Sequence, residues 1–206
     1  PIINGTPGID IPRVNPDPLG ALDPTSTLGQ KFQDVITNND NNTVPGLTGN
    51  TSIDLGNGET MTLTAGDYFL TDIVLRNGSI LEIDATGGPV NIYLSGTLDT
   101  EDGELEAKNG SQINNQSLPT DFYIYSNSSQ SIILKHGSDL SGMVYAPNAP
   151  VEIRNSGDVY GLVWGKTIDI KNSGQYFFDI AFKDKFTSNN YDINVASWKD
   201  TRYKRN

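Results

Sequence analysis

The residues of this sequence that could carry out chemistry are few and widely spaced. His136 is the single histidine of the 206-residue chain, and cysteine is absent, so neither disulfides nor thiolate chemistry is available. A metal-binding or acid–base role for His136 would require partner ligands beside it, and the sequence offers no evident ones. We therefore expect a structural role for His136.

Acidic residues are concentrated in one segment, residues 99–106, which reads DTEDGELE. Clustered carboxylates could bind calcium, although the spacing differs from that of an EF-hand loop. The Asn-rich residues 38–42 offer a second set of oxygen atoms. For both segments we expect the simpler role, which is a solvated loop for the first and a helix stop for the second.

Scattered aspartates are the remaining candidates for acid–base catalysis. A glycosidase needs two carboxylates flanking one bond, one of them with a raised pKa, and a polysaccharide lyase needs a charge sink and a strong base. The register of the repeat described below is not expected to bring any two of these aspartates together. They are Asp84, Asp99, Asp139, Asp158 and Asp169. We therefore predict a non-enzymatic protein with no catalytic, cofactor-binding or metal-binding residues.

Basic residues recur in a pattern that could form a stripe on the surface. The five are Arg76, Lys108, Lys135, Arg154 and Lys171. Aligned about 4.8 Å apart, they could contact phosphates or anionic glycans. Charges at strand edges also prevent sheets from aggregating, and we favour this second role. The formal net charge of −11 argues against a nucleic-acid partner, because such proteins usually carry a basic footprint.

Aromatic residues in the alternating segments are candidates for stacking on sugar rings. They are Tyr93, Tyr123, Tyr125, Tyr145, Tyr160 and Trp164. We expect them to alternate between the core and the surface. Trp164 follows two apolar residues and precedes Gly165, which favours a core or end-of-strand position.

The elements that position all these residues are set by an internal repeat. Each basic residue is followed by Asn or His and then by two small residues, and the Asn slots at 77, 109, 136, 155 and 172 are separated by 32, 27, 19 and 17 residues. A second motif alternates with the first, as GMVYA at residues 142–146 and GLVWG at 161–165. Short alternating apolar segments fill the chain between them. The last two spacings are typical of single turns of a solenoid, and the first two indicate longer turns or turns that carry an insertion.

Stacking explains why the motif is repeated. A strand of three to five residues cannot bury its apolar side alone, whereas equivalent strands from successive turns form a continuous core. Each turn must bend at one place, where Asn or Gly adopts the left-handed conformation at low cost, and stacked Asn side chains can bond to one another. We therefore predict an all-β protein, a right-handed parallel β-helix. An antiparallel sandwich is the rival, and it would place a hairpin at Asn57-Gly58.

The chain divides into four predicted parts. Residues 1–20 hold five of the eleven prolines and read as a linker. Residues 21–45 contain a short capping helix and an Asn-rich turn, residues 46–182 form the β-helix, and residues 183–206 form a C-terminal strand and tail. For the helix we predict Asp23 as N-cap and Pro24 in the first turn, with an apolar face that covers an open end of the core. That face consists of Leu28, Phe32, Val35 and Ile36.

Composition agrees with this division. The chain has 21 glycines, 21 asparagines and 35% hydrophobic residues, which is a turn-rich composition. No apolar run reaches eighteen residues, so no membrane span is expected in this fragment. The sequence begins at Pro1 without Met, and we expect a processed or trimmed fragment with any anchor upstream.

Several segments resemble the β-helical domain of bacterial PilX-type proteins, which are associated with type IV pilus assembly. The similarity lies in the segments LTAGDYFLTDIVLRNGSILEI (63–83), GPVNIYLSG (88–96), MVYAPNAPVEI (143–153), GDVYGLVWGKTIDIKNSG (157–174), YFFDIAF (176–182) and NVASWKD (194–200). The Pro-rich start is similar to the connector that precedes the β-helix in such proteins. The pilin-like N-terminal segment of that family is missing from this sequence.

The resemblance implies a function without catalysis. We expect an extracellular, pilus-associated structural or adhesive module on the bacterial cell surface, with residues 97–119 bearing contact residues. Its partners would be pilus or cell-surface components, glycans, or a host or abiotic surface, and no cofactor is implied. The alternative is a carbohydrate-binding or polysaccharide-degrading β-helix.

Overall fold

Short parallel strands dominate the computed structural model, which describes residues 17–76, 78–95, 105–107, 112–115, 118–135 and 139–182. Helix α1 spans Thr27–Val35, and 3₁₀ turns span Asn41–Thr43 and Pro119–Asp121. The strands are β1 Ser52–Leu55, β2 Thr60–Thr64, β3 Gly66–Leu70, β4 Asp72–Leu75, β5 Ile80–Asp84, β6 Val90–Leu94, β7 Leu105–Ala107, β8 Gln112–Asn115, β9 Phe122–Ser126, β10 Ile132–Leu134, β11 Asp139–Arg154, β12 Asp158–Lys171 and β13 Gln175–Phe178.

Every strand pairing in the described part is parallel, and the pairings build three faces. The first face stacks β1, β4, β7, β10 and the second halves of β11 and β12. The second face stacks β2, β5 and β8. The third face stacks β3, β6, β9, the first halves of β11 and β12, and β13. The predicted parallel β-solenoid is confirmed, with about five turns.

The number of strands per turn explains the uneven spacing of the repeat. The first three turns each use three strands, such as β1, β2 and β3. From β11 onward, one continuous strand takes the place of the separate strands of a turn, because Asp139–Arg154 and Asp158–Lys171 each run through a whole turn. A turn with fewer corners needs fewer residues, so the period falls to 17 residues between Asn155 and Asn172.

The corners adopt the predicted left-handed conformation. Asn155 and Ser156 have φ of 53° and 65°, and Asn172 and Ser173 one turn later have φ of 49° and 68°. The Asn172 side-chain amide donates to Asn155 Oδ1 at 3.1 Å. Stacked Asn corners joined by side-chain hydrogen bonds are therefore confirmed for this pair.

The rival prediction of a hairpin at Asn57-Gly58 is wrong. The flanking strands β1 and β2 do not pair with each other but with β4 and β5, in different sheets. Leu55 is in register with Leu75, which places Asn57-Gly58 one turn before the first predicted copy of the motif. It is an earlier corner of the same solenoid.

The interior is a single apolar column that runs the length of the described solenoid. Inward-facing Ile, Leu and Val side chains from all three faces make one contiguous cluster. Along each strand they alternate with outward residues, as in the buried and half-buried pattern of Ile80–Asp84. Each Å² of apolar surface removed from water contributes about 25 cal/mol of stability. The apolar surface buried in this column is therefore the main source of stability.

Helix α1 forms as predicted, but it lies on the side of the solenoid. Its N-cap is Ser26, whose hydroxyl accepts from Gly29 N at 2.9 Å, whereas Asp23 caps only the preceding turn by accepting from Thr25 N. Phe32 and Val35 are buried against the third face. The predicted face member Ile36 is 50% exposed, because the helix ends at Val35.

The N-terminal end of the core is closed by the residues that follow the helix. Val44 and Leu47 are buried in the interior column. The side chain of Asn41 forms the hydrogen bonds that a neighbouring strand would otherwise form with β3. It accepts from Phe69 N at 3.2 Å and donates to Phe69 O at 2.8 Å. The Asn-rich segment is confirmed as a helix stop, with Asn39 donating to Val35 O at 2.8 Å.

The predicted linker ends earlier than residue 20. Asp17 Oδ1 accepts from Ala21 N at 2.9 Å, and Leu19 packs on the third face, so residues 17–20 belong to the folded body. The predicted tail at residues 183–206 lies outside the described residues. Within the described ranges, no helix has the length and apolar character needed to cross a membrane.

Candidate functional surface: the aromatic face and the charged corner

On the outer side of the third face, an aromatic residue recurs at the same register position in five consecutive turns. Phe69 is in register with Tyr93, Tyr93 with Tyr125, Tyr125 with Tyr145, and Tyr145 with Trp164. We refer to these five residues as the aromatic column. Two of the consecutive pairs have stacked rings, with centroids 5.5 Å apart for Tyr93–Tyr125 and 6.2 Å for Tyr145–Trp164.

Most of the aromatic column is covered by the protein itself. Phe32 of helix α1 meets Tyr93 edge-on at 5.3 Å, and Phe182 meets the adjacent Tyr123 edge-on at 6.3 Å. Tyr93 and Tyr145 are buried. Burial raises the pKa values of the Tyr93 and Tyr125 hydroxyls well above their ordinary range. This surface is therefore a second hydrophobic core rather than a platform for a ligand.

Both ends of the described body meet at this second core. Tyr145 donates its hydroxyl to Asp17 Oδ1 at 2.6 Å and accepts from Leu19 N at 2.9 Å. Phe182 is buried in the same cluster. The chain therefore enters and leaves the solenoid at the same flank, beside helix α1.

An ion pair also holds helix α1 to the third face. Lys31 Nζ lies 2.8 Å from Asp67 Oδ2, and Asn91 donates to Asp67 Oδ1 at 2.9 Å. The hydrogen bond with Asp67 raises the pKa of Lys31. These polar contacts fix the helix position that the apolar contacts alone would leave free to slide.

One aromatic pair on the third face stays accessible. Tyr160 and Phe177 are in register, their rings are stacked 4.8 Å apart at 7°, and they are 41% and 44% exposed. We call these two residues the exposed aromatic pair. The two stacked rings form an exposed apolar patch at the C-terminal turns.

Three members of the predicted basic stripe, Arg76, Arg154 and Lys171, lie at the corner of the first face beside carboxylates, whereas Lys108 lies outside the described residues. Arg154 is in register with Lys171. Arg76 binds Asp54 through two nitrogen–oxygen contacts of 2.9 and 3.0 Å, Arg154 binds Glu152 at 3.0 Å, and Lys171 pairs with Asp169. Since these three cations already have carboxylate partners, the stripe is suited to keeping the strand edge charged and soluble.

The aspartates are closer together than the sequence indicated. Asp139 and Asp158 lie opposite each other on adjacent turns, as do Glu152 and Asp169, so the expectation that the register brings no aspartates together is wrong. Equivalent residues of stacked parallel strands lie about 4.8 Å apart. Glu152 and Asp169 are each held by a basic neighbour, as expected of structural charge.

His136 lies outside the described residues, and so does most of the acidic segment 99–106. Of the acidic segment, only the backbone of Leu105 and Glu106 is described, within β7. Part of the predicted contact region 97–119 is solenoid, because β7 pairs with β4 and β10, and β8 pairs with β5. Among the residues that the structure describes, no three His, Cys, Asp or Glu side chains are grouped as metal ligands would be.

The aromatic residues face the same way, against the expected alternation between core and surface. Trp164 is half-buried outside the interior column and stacks on Tyr145 in the second core, because its neighbour Val163 occupies the inward position. The aromatic column itself was not predicted from the sequence. Its signal was an aromatic residue directly after an inward residue in every turn, as at Tyr68-Phe69 and Val163-Trp164.

Comparison with known proteins identifies one match. Residues 19–185 match the model of a family described as a domain of unknown function, DUF7305. The matched range contains helix α1 and all the described strands. Neither the curated proteins nor the solved structures gave a match.

Proposed function

The chain belongs to the DUF7305 family, and from the geometry of its domain we propose a non-enzymatic, extracellular role as a pilus-associated structural or adhesive surface module. In this role the solenoid is a stiff body held at one flank and exposed elsewhere. Stacked repeats contact only their neighbours and form rigid, extended surfaces. Rigidity at the point of contact lowers the entropic cost of binding a surface.

The observation that carries this proposal is that the two ends of the described body meet at one flank. Asp17 and Phe182 both contact the second core beside helix α1. A domain attached through that flank would direct its other surfaces away from the attachment point. The second face, with Thr60 and Thr62 exposed on β2, and the exposed aromatic pair would then be available for contact.

The resemblance to PilX-type proteins supports the pilus as the structure to which the domain is attached. Residues 145–149, 161–166 and 178–181 carry most of that similarity, and each of these segments has residues on the third face, where the ends of the described body meet. Tyr145 binds Asp17 there, and the backbone of Asp179 donates to Gly161 at 3.0 Å. The shared residues are thus those that shape the attachment side of the domain.

The test is to locate the full gene product in its own bacterium. An epitope-tagged copy would be expressed, pili would be sheared from the cells, and the sheared fraction would be analysed by immunoblotting. We expect the tag to co-purify with pili and to leave the cell surface in a strain that lacks the pilus assembly ATPase. Adherence should fall when the gene is deleted and return on complementation.

Two results would contradict the proposal. One is a tag confined to the cytosolic fraction, and the other is surface exposure that does not depend on pili. Translation of the gene upstream of Pro1 gives a further check, because the proposal requires a secretion or pilin-like segment there.

Carbohydrate binding is the second candidate, favoured by the exposed aromatic pair. Flat aromatic surfaces stack on the apolar sides of sugar rings, as Tyr and Trp do at many interfaces. A glycan array with the wild-type chain and a Tyr160→Ala/Phe177→Ala variant would test this. Loss of glycan binding only in that variant would support it, with Leu118→Ala, an exposed apolar residue elsewhere, as the matched control. Release of reducing sugars would instead indicate the enzymatic alternative.

A further inference from the structure

Asn57 and Gly58 form the middle of the corner between β1 and β2. The turn runs from Gly56 to Glu59, where Glu59 N donates to Gly56 O at 3.2 Å and the Glu59 carboxylate accepts from Gly56 N at 2.6 Å. Gly58 has φ of 73°, and a Cβ added there meets nothing within 4 Å. Because Asn57 and Gly58 are both exposed, water reaches both residues of this corner.

The two reactive groups of this corner are not held by hydrogen bonds. Across the described ranges, neither the Asn57 side-chain amide nor the Gly58 backbone N–H takes part in one. The later corner at Asn155 differs on both counts, because Ser156 N donates to Asn172 O at 3.2 Å and Asn155 Oδ1 accepts from Asn172 at 3.1 Å. The stacked turns therefore restrain the side chain and the following nitrogen at Asn155 and restrain neither at Asn57.

We propose that Asn57 is a site of spontaneous deamidation. Asparagine is among the thermally labile residues, and the reaction begins when the next backbone nitrogen attacks the side-chain carbonyl carbon. Here Gly58 N bonds to Asn57 Cγ, the bond from Cγ to the amide nitrogen breaks, and the Gly58 proton passes through water to the leaving nitrogen, which departs as ammonia. Water then opens the resulting cyclic imide at either carbonyl, which gives aspartate or β-linked isoaspartate at position 57.

Glycine at position 58 favours this attack. It has no Cβ to block the approach to Asn57 Cγ, and its backbone rotates more freely than that of any other residue. The hydrogen bond from Ile80 N to Glu59 O, at 2.8 Å, ties the chain to the next turn only beyond the reacting pair. Asn77 and Asn109 also precede glycine but lie outside the described residues and the proposal. The proposal is independent of the pilus-associated function.

Deamidation changes the corner without opening the core. It adds a negative charge beside Glu59 to a chain whose net charge is already −11, and isoaspartate lengthens the backbone that the hydrogen bond from Glu59 N to Gly56 O spans. Leu55 and Leu63, the inward residues on either side, are buried and lie outside the turn. We therefore expect the product to stay folded, to elute later in anion exchange, and to exchange the Glu59 amide hydrogen faster.

Timed peptide mapping by mass spectrometry tests the proposal at each asparagine separately. The chain would be incubated in mildly alkaline buffer, folded and in guanidinium chloride, with Asn155 as the internal control. We expect folding to slow deamidation less than threefold at Asn57 and at least tenfold at Asn155. Gly58→Ala, checked for folding by circular dichroism, should slow the reaction at Asn57 at least tenfold and leave Asn155 unchanged. Equal slowing of both asparagines by folding, or a Gly58→Ala chain that deamidates at Asn57 as fast as the wild type, would overturn the proposal.

Discussion

At the scale of single residues, the corners of the solenoid depend on which side chain tolerates a left-handed backbone. Gly78 occupies the second corner position with φ of 71°, and Ser156 occupies the equivalent position with φ of 65°. This conformation costs a residue with a Cβ about 1–2 kcal/mol more than glycine, partly offset by the greater freedom of glycine in the unfolded chain.

A reciprocal exchange at these two positions tests that cost. We expect Ser156→Gly to raise the free energy of unfolding by about 0.5–1 kcal/mol and Gly78→Ser to lower it by a similar amount. A Cβ added at Gly78 meets nothing within 4 Å, so only the backbone conformation changes there. Urea denaturation followed by circular dichroism measures both effects, and changes of the same sign would contradict the explanation.

Gly161 is held by a different constraint, the close approach of two turns. A Cβ there would lie 1.9 Å from the carbonyl oxygen of Gly142, and its φ is 144°. Because that carbonyl belongs to the register-matched residue one turn earlier, it cannot move without breaking the stack. We expect Gly161→Ala to destabilise the fold by more than about 3 kcal/mol.

The matched control for this substitution is Gly58→Ala. Gly58 has φ of 73° and nothing within 4 Å of an added Cβ, so the change should cost only about 1–2 kcal/mol. Thermal unfolding of the two variants separates steric overlap from backbone conformation. Equal losses of stability would show that the turns can separate at Gly142.

What the sequence could predict at this scale depends on whether a residue acts alone. The Asn corners were predictable because the conformational preference belongs to Asn itself, as Asn155 and Asn172 confirm. The direction of Trp164 was not, because the phase of a strand is set by its neighbours on adjacent turns. The proximity of Asp139 and Asp158 was missed for the same reason, since it follows from the register.

At the scale of elements, the segment after helix α1 closes the first turn of the third face. Asn41 is 3% exposed and bonds to both backbone groups of Phe69 and, at 2.9 Å, to Asn50 O. Truncating it would leave buried donors and acceptors unpaired, at about 1–3 kcal/mol for each group that water cannot reach. This contact joins the N-terminal closure to the stack of strands.

We therefore expect Asn41→Ala to reduce the free energy of unfolding by about 2–4 kcal/mol. The neighbouring Asn42→Ala is the control, because exposed Asn42 only accepts one hydrogen bond, from Gly49 N at 3.0 Å. Urea denaturation gives the stability difference, and hydrogen exchange should show faster exchange at the Phe69 amide in Asn41→Ala alone. Similar results for both variants would mean that the segment does not close β3.

The existence of helix α1 could be predicted from its apolar spacing, but its location could not. An amphipathic face requires an apolar partner without specifying which one, and the open core end was the nearest candidate in sequence. The aromatic column offers an apolar surface on the side of the solenoid, and the Lys31–Asp67 ion pair fixes the helix there. The end of the core is then closed by Val44 and Leu47. These residues lie in an irregular segment with no periodic signal, so their role could not be predicted.

At the scale of the whole molecule, two facts about the repeat decide the architecture. The motif recurs in register on the first face, from Leu75 through Leu134 and Ile153 to Ile170, so the solenoid was predictable from sequence. The change from three strands per turn to one continuous strand was not, because it depends on where a strand continues through a corner. The same change merges the second and third faces and brings Gly142 against Gly161.

The second core makes the stability of the whole molecule sensitive to alkaline pH. Burial raises the pKa values of Tyr93 and Tyr125, whereas in the unfolded chain both should ionise near pH 10. Below that pH both states keep their protons and stability is complete. Above it, ionisation stabilises the unfolded state but not the folded state, so stability must fall as pH rises.

We expect the free energy of unfolding to decrease by about 1.4 kcal/mol per pH unit for a fully buried tyrosine, and Tyr125→Phe to make that decrease shallower. Tyrosinate absorbance near 295 nm supplies the check: ionisation of these two residues should coincide with unfolding, and a variant as pH-sensitive as the wild type would contradict the link between the aromatic column and global stability.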